Sequence, residues 1–168
     1  LFDTDIPVIA PWHDEKGSSL FRFEGYRFAL YPRRAGHAPA LDDLDNLFQL
    51  GRLIGRLHLL GARTPFRYRP TPDTASFGDD SRSFILDGVI PASLGDAYAS
   101  LSADLLKLVH QRFADITPSY IRTHGNGHVG NILSRNGETW LVDFDDSRMA
   151  PAIQDLWMFL SGEPDAQQ

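Results

Sequence analysis

The chain has 168 residues, 42% of them hydrophobic and 11% aromatic, which suits one packed domain with a real core and excludes a disordered segment. A formal charge of −6 and no clustering of Lys or Arg argue against a nucleic-acid partner. Cysteine is absent, so disulfides, thiolate metal sites and cysteine nucleophiles are excluded. No apolar run approaches the ~20 residues that a bilayer span requires, and no signal-peptide pattern is visible, so no membrane partner is expected, while the absence of cysteine fits a reducing cytoplasm.

Residues 1–11 read as an extended leading segment with Pro7 and Pro11. Two apolar-rich runs, Leu20–Glu24 and Tyr26–Tyr31, flank Gly25 and predict a β-hairpin that Pro32 ends. Leu41–Leu60 is predicted as a helix, because Asp42, Asp43 and Asp45 load its first turn and suit the positive end of the helix dipole. Its expected inner stripe is Leu44, Leu47, Phe48, Gly51, Ile54, Leu57 and His58, with Gly61 as C-cap. Gly51 and Gly55, four apart, suggest a close helix contact, and His58 a hydrogen-bonded core histidine.

Residues 62–92 carry Pro65, Pro70, Pro72 and Pro91 and predict irregular structure, apart from a short apolar piece at Phe84–Leu86. Leu94–Phe113 is predicted as a second long helix burying Ala97, Tyr98, Leu101, Leu105, Leu108, Val109 and Arg112. A short strand, Ser119–Thr123, leads into a Gly-rich polar loop, His124–Gly130. Asn131–Ser134 and Thr139–Phe144 read as paired strands joined across Asn136-Gly137, a strong hairpin signal. Pro151 is expected to open a helix over Ala152–Leu160, with Trp157, Met158 and Phe159 in the core.

Polar chemistry concentrates in two segments, His124–Asn131 and Val142–Asp146. The second hairpin sets them close together. Asn131 offers an amide oxygen and Asp143 a carboxylate, the hard donors that Mg²⁺ takes beside phosphate and water. His124 and His128 are four apart, a zinc spacing on a helix, but the surrounding glycines make a loop in which histidines hold backbone groups. Asp145 and Asp146 suit either a second metal or acceptor contact, or a solvated acidic turn.

The string His124-Gly125-Asn126-Gly127-His128-Val129-Gly130-Asn131-Ile132-Leu133, followed by Val142-Asp143-Phe144-Asp145-Asp146, resembles the H-G-D-x-H-x-x-N-I-L and V-D-x-D-D motifs of the aminoglycoside and choline phosphotransferase superfamily. The segments Gly51–His58, Phe28–Pro32 and Ala150–Met158 are similar to its protein-kinase branch. The resemblance implies an α+β, protein kinase-like fold, mainly the large helical lobe plus the hinge and the end of the small lobe. Residues 1–31 would then close the small lobe with hairpin and hinge, and 32–168 would form the large-lobe segment.

The implied activity is transfer of the γ-phosphoryl group of ATP, with Mg²⁺, to a Ser/Thr hydroxyl of a protein acceptor. A small-molecule alcohol of the aminoglycoside or choline type is the alternative acceptor, and a pseudokinase scaffold the alternative class. By resemblance Asn131 and Asp143 hold the metal, Leu30 and Tyr31 flank the adenine through hinge backbone groups, and Asp155 braces the catalytic loop. Asn126 stands at the position of the catalytic aspartate. A carboxamide keeps the shape but takes up no proton near neutral pH, so slow turnover is expected. The lysine and glutamate of the implied small lobe have no match; Lys16, followed by Gly17, sits at a hairpin edge. The expectation is a middle section of a longer chain that by itself binds ATP weakly.

Overall fold

The computed structural model describes residues 4–160. Its elements run β1 (Phe21–Phe23), β2 (Tyr26–Phe28), α1 (Leu44–Gly61), a π-helical turn (Ala75–Asp79) continuing into α2 (Asp80–Leu86), α3 (Gly95–Ala114), β3 (Ile121–Thr123), β4 (Ile132–Arg135), β5 (Glu138–Leu141) and β6 (Arg148–Ala150). The class is mixed α and β, as expected. The strands form three antiparallel ladders, β1–β2, β3–β6 and β4–β5. Residues 1–3 of the leading segment and the polar tail from 161 lie outside the described residues.

Both predicted hairpins form, each through a two-residue turn. Phe23 pairs with Tyr26 across Glu24-Gly25, at φ 47° and 84°, and Arg135 pairs with Glu138 across Asn136-Gly137, at φ 52° and 77°. Two successive left-handed residues give the turn whose twist matches antiparallel strands, and glycine at the second position relieves the strain. Phe21 and Phe28 stack across the first hairpin with ring centroids 5.6 Å apart.

The core lies between α1 and the β4–β5 hairpin. Leu50, Leu53, Ile54 and Leu57 of α1 meet Ile6, Ile132 and Leu141, with Val8, Phe144 and Phe159 at the margin. The leading segment joins this layer as an added edge: Leu141 donates its N–H to Pro7 O at 3.0 Å, and Ile9 returns one to Leu141 O at 3.3 Å. Asp43 caps α1 by accepting the Asp45 N–H at 2.9 Å.

Several expectations about buried faces are corrected. On α1, Leu44, Leu47 and Phe48 are exposed and Leu50 and Leu53 are buried instead; the helix carries leucines around much of its girth, so periodicity alone does not select the inner face. Gly51 and Gly55 meet no neighbour, whereas Gly61 does: a Cβ there would lie 2.2 Å from Arg122 O. Gly61 is therefore the last helical residue, serving close approach of α1 to β3, and Ala62 is the C-cap.

The stretch predicted as irregular contains the π-helical turn and α2. Asp73 starts it by accepting both the N–H (2.6 Å) and the Oγ–H (2.8 Å) of Ser76. Those bonds, the backbone one foremost, hold the Asp73 carboxyl below its usual range. On α3, none of the expected stripe is fully buried, and Leu101, Leu105 and Leu108 are exposed. Polar contacts choose the inner side there: Arg82 donates to Ser102 Oγ (2.9 Å) and Ala99 O (2.9 Å), and His110 Nε2 meets Asp79 Oδ2 at 2.9 Å. The helix expected over 152–160 is replaced by two 3₁₀ turns, Ala152–Asp155 and Trp157–Phe159, which leave Trp157 exposed.

Candidate active site

The loop His124–Gly130 hangs between β3 and β4 and is tied down chiefly by one side chain. Asp155, 1% exposed, accepts the His124 N–H through Oδ2 (2.9 Å) and the Gly125 N–H through Oδ1 (2.8 Å). The same Oδ2 lies 2.9 Å from His58 Nε2 on α1, so the expected core histidine is bonded to the brace of the loop. Gln154 adds a bond from Nε2 to Gly125 O at 3.2 Å. The tight 3₁₀ turn lets both sequence neighbours act on one loop.

Glycine is required here for space. A Cβ on Gly125, whose φ is +86°, would sit 2.0 Å from Asp146 O, and one on Gly127 would sit 2.8 Å from Asp155 O. The histidines hold the backbone, as the sequence suggests: His124 Nε2 meets Val142 O at 2.8 Å, and His128 Nδ1 accepts the Gly130 N–H at 3.0 Å. Among the described residues no group of three or more His, Cys, Asp or Glu forms a cation cluster.

Asn131 and Asp143 lie on adjoining backbone. Val142 donates its N–H to Asn131 O at 3.1 Å. The Asn131 side chain is buried and donates from Nδ2 to Asn126 O at 3.0 Å, which turns its amide oxygen into the free end. Asp143 has φ 61°, a left-handed conformation that costs about 1–3 kcal/mol in a non-glycine residue unless neighbours over-determine it. Its two chain neighbours are each tied down, Val142 through its N–H to Asn131 O and Phe144 through its carbonyl, which accepts the Ser147 N–H at 3.2 Å. Among the described residues its exposed carboxylate has no hydrogen-bond or ion-pair partner. An amide oxygen and an unengaged carboxylate suit a hard divalent cation.

Asp143 opens onto a cleft of about 620 Å³ walled by Val8–Pro11, His13, Tyr31, Arg69 and Val142–Asp145. Tyr31 lines it. Leu30 does not; its carbonyl accepts the Trp12 N–H at 2.8 Å. Asn126 is half-buried and its Nδ2 donates to Asp146 Oδ2 at 3.2 Å, while Arg148 holds the other oxygen of Asp146 at 2.9 Å. Neither Arg69 nor the leading segment is marked as a cleft wall by the sequence pattern. The one signal available was Arg69-Pro70, since proline holds the preceding residue extended.

The mixed α and β fold, with a loop braced by a buried aspartate beside an open cleft, is shared with phosphotransferases of kinase-like fold. The chain belongs to the phosphotransferase enzyme family, whose pattern matches residues 4–168. It is 36% identical over its whole length to stress response kinase A of Salmonella choleraesuis (strain SC-B67) and to the serine/threonine protein kinase RdoA of Salmonella typhimurium. The Escherichia coli (strain K12) stress response kinase A is 35% identical over all of this chain.

The chain spans about half the length of these curated relatives, 51% in each case. Among solved structures, the amicoumacin kinase hAmiN in complex with AMP-PNP, Ca²⁺ and Ami superposes with a TM-score of 0.67 at 20% identity, over 92% of this chain and 47% of that one. The spectinomycin phosphotransferase APH(9)-Ia in complex with ADP and spectinomycin gives 0.64 at 18% identity, over 93% and 53%. Among the described residues no helix is long and apolar enough to cross a membrane.

Proposed function

We propose that this chain is the hinge and large-lobe portion of an ATP- and Mg²⁺-dependent protein kinase that acts on Ser/Thr hydroxyls, with turnover held down by Asn126. In this reading residues 1–31 complete a small lobe, residues 32–168 form the large-lobe segment, and the enzyme works in the cytoplasm. The observation that carries it is the bracing of the loop: Asp155 takes two loop N–H groups while Asn131 is tied to the carbonyl of Asn126. Phosphoryl transfer depends mostly on positioning and charge, so a rigid loop is what the chemistry requires. The names of relatives at 35–36% identity favour a protein hydroxyl as acceptor over a small-molecule alcohol.

The Asn131 amide oxygen and the Asp143 carboxylate would hold Mg²⁺, which when bound neutralises and orients nucleotide phosphates. Tyr31, which lines the cleft, would flank the adenine. Asn126 would orient the acceptor hydroxyl by hydrogen bonding, but its amide removes no proton. Loss of a general base costs about 10²–10⁴ in rate.

A second reading, a nucleotide-sensing module without turnover, draws on the Asn126 Nδ2 to Asp146 Oδ2 bond, which a carboxylate at 126 could not donate. Thermal unfolding at millimolar ATP tests what the two readings share. ATP is expected to raise the melting temperature only with Mg²⁺, and Asp143→Ala is expected to abolish the rise. Stabilisation that is independent of Mg²⁺ or survives Asp143→Ala would refute the assigned metal site.

A further inference from the structure

Among the described residues Arg69 is the sole Arg or Lys lining the cleft. Besides Tyr31, the other ionisable residues that line the cleft are His13, Asp143 and Asp145. A polyphosphate brought there meets like charge unless a cation faces it.

Arg69 is not a loosely hung surface side chain. Its segment is fastened to β6 at both ends: Met149 donates its N–H to Pro70 O at 3.2 Å, and the Phe66 N–H meets Met149 Sδ at 3.3 Å. Pro70 keeps Arg69 in extended backbone. The guanidinium donates through Nη1 to Asp145 O, two residues beyond Asp143.

The anchor is a carbonyl and not a carboxylate, and Arg69 has no ion-pair partner among the described residues. Its full charge is therefore available, along with the N–H donors that the anchor leaves unused. A guanidinium fork matches phosphate oxygens in pairs, which an ammonium does not.

We infer that Arg69 is a polyphosphate-binding residue of this cleft, gripping the phosphate chain of the nucleotide from the large-lobe side. It rests on the nucleotide-phosphotransferase reading above but concerns a different residue and charge. Calorimetric titrations of the parent chain, Arg69→Gln and Arg69→Lys with Mg–ATP, Mg–tripolyphosphate and adenosine test it. Gln keeps an N–H donor for the Asp145 carbonyl, so the fold should persist, as an unchanged melting midpoint would show.

Arg69→Gln is expected to weaken Mg–ATP and Mg–tripolyphosphate about 10- to 100-fold, the scale of a lost charge-assisted hydrogen bond, with adenosine unaffected. Lys should recover part of the loss. Equal polyphosphate affinity in parent and Gln variant overturns the inference, as does equal weakening of adenosine, which marks a structural role. Arg69-dependent tripolyphosphate binding without ATP binding supports Arg69 while refuting the nucleotide reading. A parent that binds neither probe overturns both.

Discussion

The loop region from β3 to the second 3₁₀ turn and the helical arm of α2 and α3 are built on opposite terms. The loop region is mostly polar, yet Thr123, His124, Asn131, Ser147 and Asp155 are all buried in it. The arm is rich in leucine and phenylalanine, yet neither helix has a buried residue, and Leu101 and Leu105 are 71% and 58% exposed. In the loop region Thr123, Asn131, Asp155 and Nε2 of His124 are each paired, which fixes their direction, while His124 Nδ1 and Ser147 Oγ are buried without a partner among the described residues. In the arm a few polar bonds, Arg82 to Ser102 and His110 to Asp79, orient two helices whose leucines are largely exposed in this chain. Placement of functional groups here comes from satisfied hydrogen bonds, not from quantity of apolar surface.

The comparison breaks most sharply at Asp155. Replacing it with Ala strands the His124 and Gly125 N–H groups and His58, and the expected loss is about 3–5 kcal/mol, as for a broken buried pair. Urea denaturation of the Asp155→Ala variant measures it. A loss no larger than an ordinary surface change, about 0.5 kcal/mol, would mean that the loop is not held by this carboxylate.

The arm should answer to acid at a single cap. The Asp73 carboxyl is held below the usual carboxylate range by its two bonds from Ser76. A folded-state value below the unfolded one gives stability that is present above the unfolded value and lost as pH falls through the folded one. Loss of protection in residues 75–86 as pH falls below the usual carboxylate range, followed by hydrogen exchange, should shrink in Asp73→Asn. An identical acid profile in both would remove the cap from the account.

The smallest effect belongs to the exposed side of α3. Leu105→Ser should change stability within about 0.5 kcal/mol, as for a surface position. A loss of several times that in a thermal melt would show that this face is covered in solution.

What the sequence made legible follows the same divide. Local chemistry read well: the Asn136-Gly137 turn, the two histidines as loop holders and Asp155 as brace all depend on residues near in sequence or on a motif, whereas Asp43, expected inside the first turn of α1, is its N-cap. Face selection read poorly. Nothing in the spacing of Leu44, Leu47, Leu50 and Leu53 says which side of α1 meets Ile132 and Leu141, because that depends on partners elsewhere in the chain. The π-helical turn and α2 were hidden among prolines, although Asp73 three residues before Ser76 is a capping signal. In the candidate site, Asn131, Asp143 and Asn126 were visible as a pattern. Arg69 was not, since a cleft wall made by a distant strap leaves no periodicity.

The central claim is that residue 126 occupies the base position of a phosphotransferase loop. Incorporation of labelled phosphate from ATP into a generic protein acceptor, with Mg²⁺, compares the parent with Asn126→Asp most directly. The account predicts a rate higher by about 10²–10⁴ in the Asp variant, the range for recovering a general base. Indistinguishable rates in the two proteins would contradict it.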